Sequence, residues 1–285
     1  MRWNQSRRST NVEDRRGQRL SGGVRLGGGA GLLLIVVVML LGGDPSQVLQ
    51  LLGGAGGGGV APAPSAPVGD DETSQFLSAV LGMTEDAWSE IFESAGARYD
   101  PPTLVLFSDA VQSECGYSSA ATGPFYCPPD RKLFLDATFF DELARMGGAG
   151  DFAQAYVVGH EVGHHVQTLT GTSERVRRLQ RSADDPERNA LQVLMELQAD
   201  CYAGVFAHHA NRRQRVLEAG DVEEGLAAAA AIGDDRLQRR AGREVTPESF
   251  THGSSAQRQR WLAAGLETGD AGTCDTFSDA GIDLR

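Results

Sequence analysis

The chain of 285 residues is almost without lysine: Lys132 is the only one, and arginine supplies every other basic side chain. That scarcity points to no particular function. A basic face is lacking over most of the length. The chain carries a formal charge of −12, while residues 1–25 hold seven arginines against Glu13 and Asp14, a local +5, which leaves −17 for the other 260 residues. Nucleic acid is bound through a basic surface, so no nucleic-acid partner is expected; the acidic balance serves solubility. No internal repeat is visible, which removes solenoid architectures. Cysteine is sparse, with four residues and no Cys-x-x-Cys pair, so a zinc–thiolate site lacks its usual spacing.

Charge is absent altogether between Arg25 and Asp44. This stretch of 18 residues, 26–43, is near the lower limit for crossing a bilayer. A cleaved signal peptide is the competing reading, but no small-x-small cleavage site stands out in residues 42–47, and the basic region is long for a signal. The expectation is an uncleaved transmembrane signal anchor at 26–43. Residues 1–25 then form a basic cytoplasmic arm, and the carboxyl-terminal side lies outside. Residues 44–75, rich in Gly, Pro and Ala, read as a linker that cannot pack a core. A single-pass membrane protein with an extracytoplasmic domain at 76–285 follows.

Against these absences stands His160-Glu161-Val162-Gly163-His164-His165. A helix places His160 and His164 one turn apart on one face, where two imidazoles can hold one zinc ion at about 2.0–2.1 Å. Helical context is supplied by Phe152, Ala155, Tyr156, Val158, Val162, Val166 and Leu169, which recur at three- and four-residue steps. Asp151 is the expected N-cap and Gly171 the expected stop. His165, five residues after His160, turns away from the shared face.

A catalytic zinc needs a third protein ligand and an open position. Residues 191–204 read as a second core helix in which Glu196 and Asp200 share a face. Burying carboxylates there is costly unless a cation compensates. Glu196 is assigned as the third ligand and Asp200 as the acceptor behind one ligand histidine; the exchanged roles remain open. Glu161 is the expected general base, taking a proton from a zinc-bound water and giving it to the leaving amine. His252 is the candidate for stabilising the developing oxyanion, with Tyr156 and Tyr202 as alternatives.

The segments Gly123-Pro124-Phe125-Tyr126-Cys127-Pro128, Gly150-Asp151-Phe152-Ala153-Gln154-Ala155-Tyr156, the His160–His165 motif, Glu196-Leu197-Gln198-Ala199-Asp200-Cys201 and Phe250-Thr251-His252-Gly253-Ser254-Ser255 come in an order that resembles the bacterial neutral zinc metallopeptidase family, from about Thr73 to Phe277. The resemblance implies a zincin-like peptidase domain anchored in the membrane and acting on a peptide or protein substrate. Its ligand pattern falls on His160, His164 and the Glu196–Asp200 pair.

Around the motif, residues 75–95 read as a helix, 103–107 and 132–136 as strands, 211–241 as one or two helices, and the last helix starts near Ser254. The class is α+β, mostly helical, with a small sheet beside the metal helix. Residues 123–136 are the candidate wall for strand addition by an extended substrate. All four cysteines follow the anchor, and the expected bridges are Cys115–Cys127 and Cys201–Cys274, as suits an oxidising compartment. The leading reading is a membrane-anchored zinc metallopeptidase. Its rivals are a zinc-stabilised scaffold without activity, for which Glu161 is dispensable, and a zinc hydrolase of a non-peptide amide or ester.

Overall fold

The structure is a computed structural model and describes residues 1–17, 69 and 71–284. The anchor expected at 26–43 and most of the linker lie outside the described residues. Six strands are described: β1 (Val12–Asp14), β2 (Thr103–Phe107), β3 (Ala110–Ser113), β4 (Gly116–Ser119), β5 (Phe125–Cys127) and β6 (Lys132–Asp136). Four of them form a sheet in the order β1-β2-β6-β5, parallel except for the antiparallel β5–β6 pair, while β3 and β4 make a separate hairpin. Strand periodicity assigns the two faces. Leu104, Leu106, Leu133 and Leu135 enter the main core, whereas Val105, Phe107 and Phe134 turn to a smaller cluster with Val111 and Cys127.

The amino terminus corrects the expectation. Of the arm expected at 1–25, Met1–Arg16 do not stand apart, because they belong to the same compact unit as the domain; residues 18–25 lie outside the described residues. Their polar groups find buried partners on helix α1 (Glu72–Ser94). Ser9 Oγ and Asn11 Nδ2 donate to Glu85 Oε1 at 2.6 and 2.7 Å, and Arg7 donates to Glu85 Oε2 at 2.7 Å. Arg16 pairs with Asp71 at 2.6 Å. A single crossing at 26–43 would put residues 1–16 and 71–284 on opposite sides of a bilayer, yet β1 and β2 share one ladder. The linker also ends early, since residues 72–75 already lie in α1, capped by Asp71. Among the described residues no helix is long and apolar enough to cross a membrane.

The other helices are α2 (Thr138–Arg145), α3 (Asp151–Leu169), α4 (Thr172–Gln180), α5 (Asp185–Gln214), α6 (Asp221–Ala231), α7 (Asp234–Arg240), α8 (Ser255–Thr268) and α9 (Thr276–Asp279). Gly150, at φ 117°, caps α3 in place of Asp151, which is its first residue. Reciprocal capping boxes start α5 (Asp184 with Glu187) and α8 (Ser254 with Gln257). Helix α5 packs against both α3 and α8, and missing side chains permit the approach. A Cβ on Gly163 would lie 2.9 Å from Ala199 Cα and O, and one on Gly265 only 2.0 Å from the Cys201 carbonyl. Both expected disulfides are formed, Cys115–Cys127 beside the hairpin and Cys201–Cys274 between α5 and the carboxyl-terminal segment. The class is α+β and mostly helical, as expected.

Candidate metal centre

Helix α3 carries His160, Glu161 and His164, and α5 presents Glu196 and Asp200 to them. One ligand atom each from His160, His164 and Glu196 lies within 4.8 Å of the others. Glu196 Oε2 stands 3.1 Å from His160 Nε2 and 3.6 Å from His164 Nε2. Donors placed about 2.0–2.1 Å from a tetrahedral zinc are about 3.3 Å apart, so two imidazole nitrogens and one carboxylate oxygen at these separations fit that ion.

Each donor is held from behind. His160 Nδ1–H donates to Asp200 Oδ1 at 2.8 Å, and His164 Nδ1–H donates to Gln167 Oε1 at 2.9 Å. Both assignments leave the Nε2 lone pairs for a metal. Gln167 is itself anchored on α5, donating to the Met195 carbonyl at 2.7 Å, and Gln192 donates to Glu196 Oε1 at 2.8 Å. Asp200 sits on the far side of His160, away from the convergent Nε2 atoms. Glu196 thus joins the convergent trio, and Asp200 stands behind His160.

Electrostatics match a site built for a cation. Burial disfavours charge on His160, but Asp200 and Glu196 outweigh it and push the imidazole up to about 10. His164 is likewise raised, burial opposing and Glu196 prevailing. Burial alone would raise Glu196, yet the two histidines hold it well below the usual carboxylate range. Glu161 behaves differently. Burial is its largest influence and raises it, and its carboxylate makes no hydrogen bond among the described residues. A carboxylate displaced upward beside a metal trio, outside the ligand set, has the character of a proton carrier.

The centre opens into a cavity of about 620 Å³. Phe125 and Tyr126 of edge strand β5, the apolar Val157 and Ile232, and both Glu161 and His252 are in its lining. His252 is half exposed, and Asp234 Oδ2 accepts from the backbone N–H groups of Thr251, His252 and Gly253 at 2.6–3.0 Å, which fixes the loop. Tyr156 also borders the cavity, but its hydroxyl donates to Asp200 Oδ1 at 2.6 Å. Tyr202 packs edge-on against Trp88 in the core and does not line the cavity. His165 faces elsewhere: Nε2–H donates to the Asp100 carbonyl at 2.7 Å, and Nδ1 accepts from Tyr126 at 3.0 Å. Sequence reasoning missed Gln167 and Arg258. The signal for Arg258 was available, because Trp261 and Leu262, three and four residues on, mark the inward face of α8.

The sequence profile of the family described as "Putative neutral zinc metallopeptidase" matches residues 1–277. The chain is 44% identical over 286 residues to the uncharacterized protein YpfJ of Escherichia coli strain K12, covering 97% of this chain and 99% of that one. It is 40% identical over 222 residues to the uncharacterized protein Mb2605 of Mycobacterium bovis, covering 74% of each. No solved structure matches. With a profile match of that extent, starting in the strand-forming amino terminus and running past the metal helices, the chain belongs to the neutral zinc metallopeptidase family.

Proposed function

We propose that the protein is a zincin-like peptidase that hydrolyses peptide bonds with one zinc ion held by His160, His164 and Glu196. The observation that carries this reading is Glu161: buried, adjacent to two ligands, outside the ligand set and open to the same cavity as an edge strand. When bound, zinc supplies a Lewis acid that polarises the scissile carbonyl and lowers the pKa of water. Glu161 accepts the proton of the attacking water and passes it to the leaving amine. His252, in the lining of the same cavity, offers a donor to the developing oxyanion. Among the described residues β5 is the last strand of the sheet, so its outer edge can pair with an extended substrate and align it along the cavity.

The two disulfides support an extracytoplasmic domain. Residues 26–43 are proposed to attach the chain to a membrane with residues 1–16 and 71–284 on the same side. The test uses the full chain, because β1 belongs to the domain. Zinc-loaded protein and its Glu161→Gln variant are offered a diverse peptide mixture. Cleavage is expected from the first, and a loss of about 10²–10⁴-fold in rate from the second with zinc content unchanged. Equal behaviour of both proteins would favour the scaffold, and turnover confined to small esters or non-peptide amides would move the substrate class.

A further inference from the structure

Arg258 is the most deeply enclosed cation among the described residues, 1% exposed, and no step of the proposed reaction uses it. It lies in the first turns of α8, where the Ser254–Gln257 capping box fixes the helix start. Its Nε donates to Asp200 Oδ2 at 2.8 Å and its Nη2 to Asp200 Oδ1 at 2.9 Å, a two-point grip. The same Nη2 reaches Tyr156 Oη at 3.2 Å and stands 3.4 Å from His160 Nδ1. Asp200 Oδ1 thus receives His160, Tyr156 and Arg258 together, and Oδ2 is occupied by Arg258.

We infer that Arg258 is a positioning residue for the metal centre: it orients Asp200, which orients His160. This rests on the zinc reading above. A carboxylate with no exposed surface is costly to keep ionised without a partner. Without Arg258, Oδ2 loses its only partner among the described residues and the two-point grip that fixes the carboxylate plane, so Asp200 can turn about its side-chain bonds. Oδ1 then no longer holds the His160 ring at one angle, and Nε2 is free to swing away from Glu196 and His164. Lysine would keep the charge but present one ammonium where the planar guanidinium meets both oxygens. The close approach of α8 to α5 at Gly265 makes the grip possible, and the Cys201–Cys274 bridge begins one residue after Asp200.

The test is zinc affinity of the full chain, read by chelator competition, with cobalt(II) absorption as the signature of ligand geometry. Arg258→Met is expected to weaken zinc by about 10- to 100-fold, the usual range for losing a group behind a ligand, and to shift the cobalt bands. Arg258→Lys is expected to recover part of both. In an Asp200→Asn background Arg258→Met should add little, because the two side chains act in series. Unchanged affinity and spectrum in Arg258→Met, or full additivity with Asp200→Asn, overturns the inference while leaving zinc binding by the parent intact. Should Arg258→Met not fold, Arg258→Lys against Asp200→Asn decides the same question. A parent chain that binds neither metal sinks the inference and the zinc reading together.

Discussion

Single side chains explain two oddities of composition and chemistry. Lys132, the lone lysine, donates from Nζ to Glu13 Oε1 at 2.7 Å and so ties β6 to the amino-terminal strand across β2. His165, next to His164, is turned away from the candidate metal centre and braces β5 against α3 through Tyr126. Burial pushes its imidazole down to about 4. Between that value and the ordinary 6.5 the unfolded chain binds a proton that the folded chain refuses. Its contribution is therefore present above 6.5 and lost as pH falls toward 4, on the order of 3 kcal/mol in full. Denaturant midpoints measured in chelator from pH 7 to 4.5 should fall more steeply for the parent than for His165→Gln; parallel curves would rule this out. The metal motif was legible because four-residue spacing is a local property. The partners of His165 were not, since Asp100 and Tyr126 are distant in sequence.

Among the elements, the decisive contact is α3 against α5. Periodicity identified both helices. The hydrogen bonds from Gln167 to the Met195 carbonyl and from His160 to Asp200 require that contact. Gly163→Ala would place a methyl group 2.9 Å from Ala199 backbone atoms, which cannot swing aside as a side chain tip would. Overpacking of this kind costs about 1–3 kcal/mol, against a helix-propensity gain of up to about 1. A net loss of about 1 kcal/mol is expected by chemical denaturation, together with weaker zinc in chelator competition; equal or higher stability with unchanged affinity would contradict it. Strands β1, β3, β4 and β5 were not legible, being three or four residues long and without a clear apolar run.

For the whole molecule, the amino-terminal strand sets a constraint on the proposed membrane attachment. Residues 1–16 pair with β2 and contact α1, so they share a compartment with residues 71–284. Single cysteines introduced by Arg2→Cys and Asp279→Cys, at side chains 58% and 51% exposed, should react alike with a membrane-impermeant maleimide in intact cells. Opposite labelling would show that the two parts separate. Sequence alone determined the helix that carries the His-Glu-x-x-His motif, the shared face of Glu196 and Asp200, both cysteine pairings and the α+β class, because each follows from local spacing or from counting. Tertiary structure alone decided that Glu196 faces the centre, that Arg258 grips Asp200, and that an arginine-rich amino terminus is a strand of the domain. A charge is stable in the interior only beside its partner, and here the pairs lie 58 residues apart for Arg258 and Asp200 and 78 for Arg7 and Glu85.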